Sequence, residues 1–232
     1  MQKQPLNFFL RNRQQIEDCG QQLREAGLME HGLSCKNFDL AYILPHIEDG
    51  NLLDMGSCGS FILYNAAKKG TKGEKIGIDL AYPDDYVLTW PPAHNIPVEG
   101  ANCFKADLMN TPFEDGKFNY ITCLSVIEHE VDFKKLAQEC SRLLAPGGKL
   151  FVSFDFWPEK VDTKGHKLFG LNWNILDELD VVDLISEMAG QFLQLSNNSF
   201  IDWTVEEDVI NPSYCSPADV SYTFGLFMFE KR

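Results

Sequence analysis

The hydrophobic rhythm of the chain changes near residue 50. Ahead of it, Phe8, Phe9, Ile16, Leu23 and Leu28 recur loosely at helical spacing among Gln, Arg and Glu. That spacing predicts helical cover for the opening forty-odd residues. A second short helix is expected from Phe38 to Ile47, with Pro45 near its end. Beyond residue 50 the apolar positions gather into short runs. Asn51 to Met55, Lys75 to Asp79, Asn102 to Ala106, Phe118 to Leu124 and Lys149 to Phe154 read as buried strands.

Helical patterns separate these runs. One spans Ser60 to Lys69 and ends near Gly70. A second starts at Asp132 as N-cap and carries Phe133, Leu136, Ala137, Cys140 and Leu143 on one face, until Ala145-Pro146-Gly147-Gly148 stops it. A third is capped by Asn174, with Ile175, Leu179, Val182, Ile185 and Ala189 in register, and closes at Gly190. A proline-rich excursion holds Pro83, Pro91, Pro92 and Pro97. Two last apolar runs, near Phe200–Trp203 and Ser221–Phe229, have no helix between them and are expected to pair antiparallel at one sheet edge. Strands alternating with helices predict an α/β, doubly wound, Rossmann-like sheet. Residues 49–232 form its domain, residues 1–48 a helical cap or lid, and residues 156–174 a substrate-side insertion.

Charge narrows the partners. The 232 residues include 20 basic and 34 acidic side chains, a formal net charge of −14. From Leu168 to Glu230 there is no Lys or Arg. Phosphate backbones and anionic membranes are bound mainly by Lys and Arg, so neither nucleic acid nor membrane is an expected partner. Seven cysteines, an odd number with no CxxC pair, fit buried thiols in a reducing compartment, and the cytoplasm is expected. The five histidines show no ligand spacing, so no metal site is expected.

In a doubly wound sheet, ligands bind beyond the carboxyl ends of the strands. The first such end reads Asp54-Met55-Gly56-Ser57-Cys58-Gly59. Glycines let a ligand approach the backbone, and the acid ahead of them repels a pyrophosphate but favours an ammonium or sulfonium. The second strand ends at Asp79, where a carboxylate can accept from both ribose hydroxyls. The third leads to Asp107 and Leu108, an acid and an apolar neighbour suited to an adenine. The fourth ends in Leu124-Ser125-Val126-Ile127-Glu128-His129.

These segments, in this order, resemble the class I S-adenosylmethionine-dependent methyltransferases. LLDMGSCGS, IGIDL, KADLMNTPF and SVIEHEVDFKKLAQECSRLLAPGGKLFVS are similar to the family's successive motifs, over roughly residues 38 to 155. The resemblance implies a seven-stranded sheet with an antiparallel last strand, and S-adenosylmethionine as cofactor with S-adenosylhomocysteine as product. It implies that Asp54, Gly56, Ser57, Cys58 and Gly59 shape the methionine pocket. Asp79 would bind the ribose, Leu80, Asp107 and Leu108 the adenine, and Leu124 and Ser125 would lie near the sulfonium. Cys58 departs from the pattern, standing where the family has its second glycine.

The acceptor is expected to be a small molecule, with a sugar or glycan hydroxyl leading on a loose likeness of FVSFDFWPEK and LFGLNWNILDE to polysaccharide-tailoring methyltransferases. His129 is either the catalytic base or a residue that orients its loop. Asp155, Trp157 and Trp173 are substrate-side candidates, with sheet-edge packing the competing role for both tryptophans. Methylation of another metabolite or a protein side chain, and a non-catalytic partner-binding role, are the alternatives. An NAD-type oxidoreductase is disfavoured by Asp54 and by the missing G-x-G-x-x-G.

Overall fold

The computed structural model describes residues 6–82, 88–89, 101–191, 193–195, 201–206 and 219–232. In chain order its elements are β1 (Phe8–Phe9), α1 (Arg13–Glu25), α2 (Asn37–Ile43), β2 (Leu52–Met55), α3 (Ile62–Lys68), β3 (Lys75–Ile78), β4 (Leu88–Thr89), β5 (Ala101–Phe104), β6 (Phe118–Leu124), α4 (Phe133–Leu143), β7 (Leu144–Phe156), β8 (Lys167–Leu168), β9 (Leu171–Asn172), α5 (Glu178–Gly190), β10 (Leu193–Leu195) and β11 (Thr223–Lys231). Single 3-10 turns, Ser34–Lys36 and Leu44–His46, flank α2.

The main sheet runs β1-β11-β7-β6-β2-β3-β5-β4, with β10 also on β11. Its centre is parallel: β6 and β3 flank β2, β5 follows β3, and β7 follows β6. β11 runs antiparallel to β7 from Thr223↔Phe156 to Glu230↔Lys149. This is the expected Rossmann-like sheet with its antiparallel last strand. Among the described residues, no helix is long and apolar enough to cross a membrane.

The local signals act as physics requires. Asp132 caps α4, its Oδ1 accepting from the Lys135 N–H at 3.0 Å. Strand residues alternate between two cores. Leu53, Met55, Ile121, Val152, Phe154 and Phe227 face α4 and α5, while Leu52, Phe151, Leu226 and Met228 pack with α1, α2 and α3.

Four expectations change. Phe8 and Phe9 are not helical. They pair antiparallel with Leu226 and Gly225, and the Phe9 ring stacks on Phe156 at 3.8 Å. Burying Phe9 in the sheet core outweighs continuing a helix that properly starts at the Asn12 cap. The third helix is capped by Asp177, not Asn174. Asp177 accepts from Leu179 N–H and Asp180 N–H, and Asp180 returns a bond to the Asp177 N–H. That shift rotates the buried face to Val181, Leu184 and Met188, leaving Leu179 79% and Val182 54% exposed. Finally, β11 pairs with β7, β1 and β10, and the described part of the run near Phe200–Trp203 is not among its partners. Asp202 makes only an isolated bridge to Phe8. Pro83, Pro91, Pro92, Pro97, His94, Phe200 and Cys215 lie outside the described residues.

Candidate active site

The strand order reverses at β2: the chain steps outward to β3 and β5, then returns to β6 and β7 on the other side. The crevice of such a sheet opens at the carboxyl ends of β2 and β6. The turn after β2 needs its glycines for different reasons. Gly56 has φ +75°, and a Cβ there would lie 2.2 Å from Val126 Cγ2. Gly59 has φ +91°, and a Cβ there would meet nothing within 4 Å. So the first glycine permits close packing on the loop after β6, while the second faces open space. The Gly56 and Ser57 amides are anchored to the Ile78 carbonyl at 2.8 and 3.0 Å.

Asp54 is fully buried at the end of β2. Its Oδ1 accepts from the Thr122 hydroxyl at 2.6 Å, and its Oδ2 has no hydrogen-bond partner. The Ser60 hydroxyl stands nearby, outside hydrogen-bond geometry. Burial pushes the Asp54 carboxyl up to about 7, with the Thr122 bond pulling the other way. Asp79 is half-buried and already employed: Oδ2 accepts from the Cys58 N–H at 2.9 Å and Oδ1 from the Ala81 N–H at 2.8 Å. It therefore holds the glycine turn as well as facing the crevice. The Cys58 side chain is exposed. Ser57 is buried, with its hydroxyl 3.1 Å from the Tyr82 hydroxyl. Leu80 is 57% exposed, a large apolar surface that folding leaves open beside Asp79. Asp107 is exposed and caps its own turn through the Met109 N–H at 2.9 Å, while Leu108 is half-buried against the core.

The other half of the crevice lies at the ends of β6 and β7. Ser125, after half-buried Leu124, takes φ +53°, an unfavourable conformation for a residue with a Cβ. The Lys36 ammonium donates to Ser125 Oγ and sits 4.4 Å above the Phe224 ring. It also attracts the buried carboxyls of Asp39, Glu128 and Asp155. Glu128 is 1% exposed, and neither of its oxygens has a hydrogen-bond partner. Burial first, then the Asp155 carboxylate, pushes it well above the usual carboxylate range. Burial likewise raises Asp39 and Asp155, against the pull of Lys36.

His129 closes this side. Burial, aided by Lys36, lowers its pKa below the ordinary imidazole value, while the Asn172 backbone holds the ring and partly offsets that. Its Nδ1 is buried and has no partner. The ring is therefore neutral near pH 7 with an uncommitted Nδ1. Phe169, at the tip of the β8–β9 hairpin, meets it edge-on at 5.8 Å. The hairpin is tied down by Asn172 Nδ2, which donates to Glu130, and the next segment by the Asn174 N–H, which donates to the Glu128 carbonyl at 2.9 Å.

The two tryptophans differ. Trp173 is 2% exposed, donates Nε1–H to Asp155 Oδ2 at 2.7 Å, and meets Tyr222 edge-on at 5.4 Å. It is a wall that fixes Asp155. Trp157 is half-buried on the same core, and its backbone N–H donates to the Leu176 carbonyl at 3.0 Å.

Residues 31–39 roof both halves. His31 Nδ1 accepts from the Leu33 N–H, so Nε2 is the donor to the Gly59 carbonyl at 2.9 Å. Five positions on, Lys36 reaches Ser125. His31, Lys36, Asp39 and Ser153 were not singled out from the sequence. The detectable signal was the alternation Val152-Ser153-Phe154-Asp155-Phe156, in which two polar residues occupy one face of an otherwise apolar buried strand.

The cofactor half fits S-adenosylmethionine on three counts. Asp54 Oδ2 is an orphaned acceptor suited to an ammonium, the Gly59 turn leaves room, and Leu80 offers an exposed apolar face for an adenine.

Comparison with known proteins agrees. Residues 53–152 match the family model described as a methyltransferase domain. A ubiquinone biosynthesis O-methyltransferase from Xanthomonas oryzae is 45% identical over 129 residues, which are 53% of this chain and 50% of that protein. The chain thus matches about half the length of such relatives. Among solved structures, an S-adenosylmethionine-dependent methyltransferase from Mesorhizobium loti superposes with a TM-score of 0.57 at 14% identity, over 85% of this chain and 98% of that one. Geranyl diphosphate C-methyltransferase from Streptomyces coelicolor gives 0.56 at 16%, over 79% and 74%. Motif order, matched segment and sheet topology together show a methyltransferase domain over residues 53–152, on the Rossmann-like fold that S-adenosylmethionine-dependent methyltransferases share.

Proposed function

We propose that this protein transfers a methyl group from S-adenosylmethionine to a hydroxyl of a small acceptor. The observation that carries the reading is the pairing, across one switch-point crevice, of an orphaned buried carboxylate oxygen on Asp54 with a neutral imidazole whose Nδ1 is free. When bound, S-adenosylmethionine supplies an electrophilic methyl group and departs as a neutral thioether. Asp54 binds the ammonium of the methionine part, and Asp79 accepts from the ribose with the lone pairs its two backbone bonds leave. Leu80 and Leu108 cover the adenine, with Asp107 at its polar edge. Leu124 and Ser125 border the reacting centre. His129 Nδ1 takes the proton of the acceptor hydroxyl as the new C–O bond forms, which is why it must be neutral beforehand. Asp155, held by Trp173, orients the acceptor, and Trp157 flanks it. Positioning supplies the remaining rate enhancement.

A small acceptor fits the roof formed by residues 31–39 and the hairpin carrying Phe169. A sugar-like acceptor suits the polar wall better than a purely apolar one. The acidic surface argues against nucleic acid and anionic membranes as partners, and the free cysteines fit a cytoplasmic setting.

The test is calorimetric titration with S-adenosylhomocysteine, for the parent and for Asp79→Ala. Micromolar binding that weakens tenfold or more, about 1.4 kcal/mol, supports the reading. A folded parent that binds nothing would instead support the partner-binding alternative.

A further inference from the structure

We infer that the acceptor carries a protonated amino group, bound among Asp39, Glu128 and Asp155 at the carboxyl ends of β6 and β7. The inference rests on the methyl-transfer reading above for the identity of this cleft as the acceptor site. Asp39 is 4%, Glu128 1% and Asp155 5% exposed. Asp39 Oδ1, both Glu128 oxygens and Asp155 Oδ1 are buried without hydrogen-bond partners. The Ser153 hydroxyl stands beside Asp39, also short of hydrogen-bond geometry.

Lys36 does not meet this need. It attracts all three carboxyls, but its ammonium is committed to Ser125 Oγ and to the face of Phe224. One cation thus faces three carboxyls. An ionised carboxylate can only accept, and a buried one left unpaired is costly. The group that satisfies several such oxygens at once is a compact donor with three N–H bonds and a positive charge. An isoprenoid chain supplies no donors, and a carboxylate or phosphate would add to the repulsion.

Two further observations point the same way. Burial and the Asp155 charge hold Glu128 well above its usual range, so without a ligand the site relieves its repulsion by keeping a proton. A bound ammonium would replace that proton. The stretch from Leu168 to Glu230, which includes Phe169 and Trp173 beside His129 and Asp155, has no Lys or Arg, so it supplies no cation to compete for the three carboxyls.

The experiment uses the full chain saturated with S-adenosylhomocysteine and matched probes. These are glucosamine against glucose, and tyramine against its alcohol analogue tyrosol and its acid analogue 4-hydroxyphenylacetate. Saturation-transfer NMR and calorimetry report binding. The ammonium member of each set should bind at least tenfold tighter. Asp155→Asn and Glu128→Gln should each erase that preference, with Asp39→Asn as the substitute should either fail to fold. Lys36→Met should tighten ammonium binding several-fold, because it removes the competing internal cation; a merely structural Lys36 would not do so.

Equal binding within each set, or preference for the acid, overturns the inference. Loss of acid binding in Lys36→Met would then identify Lys36 as the recognition residue for an anionic acceptor. The same titrations without S-adenosylhomocysteine separate the two readings. Ammonium preference without cofactor binding defeats only the methyl-transfer reading. Cofactor binding without ammonium preference defeats only this inference.

Discussion

The two halves of the crevice are built on opposite plans. The half at β2 and β3 is made of backbone: glycines at positive φ, amides pinned to the Ile78 carbonyl, and one aspartate bracing the turn. The half at β6 and β7 is made of buried side chains in an electrostatic conflict that one lysine only partly relieves. A backbone cradle suits a ligand that never changes. A wall of side chains can be altered one residue at a time, and unsatisfied buried groups give strong discrimination between acceptors. Under the proposed function, constancy and selectivity are thus separated across a single sheet.

Breaking the backbone half should give the largest effect. Gly56→Ala forces a Cβ into Val126 Cγ2 and a side chain into a left-handed conformation. We expect no measurable S-adenosylhomocysteine binding and a lowered melting temperature. Adding Val126→Ala should recover part of the binding, leaving a conformational cost of about 1–2 kcal/mol. Recovery to parent affinity would show that φ +75° is not strained here.

Next is His129→Gln, which should lower kcat by roughly 10²–10⁴-fold while cofactor affinity holds. In the parent, kcat at saturating S-adenosylmethionine should fall as pH drops through the imidazole pKa, which lies below its ordinary 6.5. The variant should lose that acid limb. A retained limb would assign it to another group and return His129 to loop orientation.

Asp79→Ala comes third. It removes both the proposed ribose acceptor and the brace on the Cys58 amide, so a tenfold or greater loss of cofactor affinity is expected, against little change in acceptor binding. The smallest effect is a pH dependence. Asp54 must be ionised to hold an ammonium, and its carboxyl sits at about 7 in the free protein. Its protonated fraction grows as pH falls, so affinity should be about tenfold lower at pH 6 than on its plateau above pH 8. Calorimetry in buffers of different ionisation heat should register proton release. Asp54→Asn should bind weakly and without this slope. A flat profile in the parent would mean that Asp54 does not meet the ammonium.

The backbone half was readable residue by residue, because each of its features is a strand end followed by a local turn. Asp54, Gly56, Gly59 and Asp79 stand where the strand-and-turn pattern puts them. The side-chain half was only partly readable. Asp155 and His129 were found, but Lys36 and Asp39 come from a segment more than eighty positions away in the chain. Nothing local marks them as partners of Ser125 and Glu128. Two-residue Phe8–Phe9 carries no period of its own, and its strand exists because the outer edge of β11 needed hydrogen bonds. The exposed face of α5 turned on which of two nearby polar residues capped it.

The amino-acid sequence by itself determined the alternation of strands and helices, the glycine turn with its leading aspartate, and the acidic balance. The first two depend on residues within a few positions of one another, and the third is a sum over the whole chain. Tertiary structure decided that Lys36 would face three carboxyls, that His129 would keep a free nitrogen, and that Asp79 would brace the turn it borders. Those outcomes depend on burial and on charges brought together from distant segments, and no local pattern encodes either.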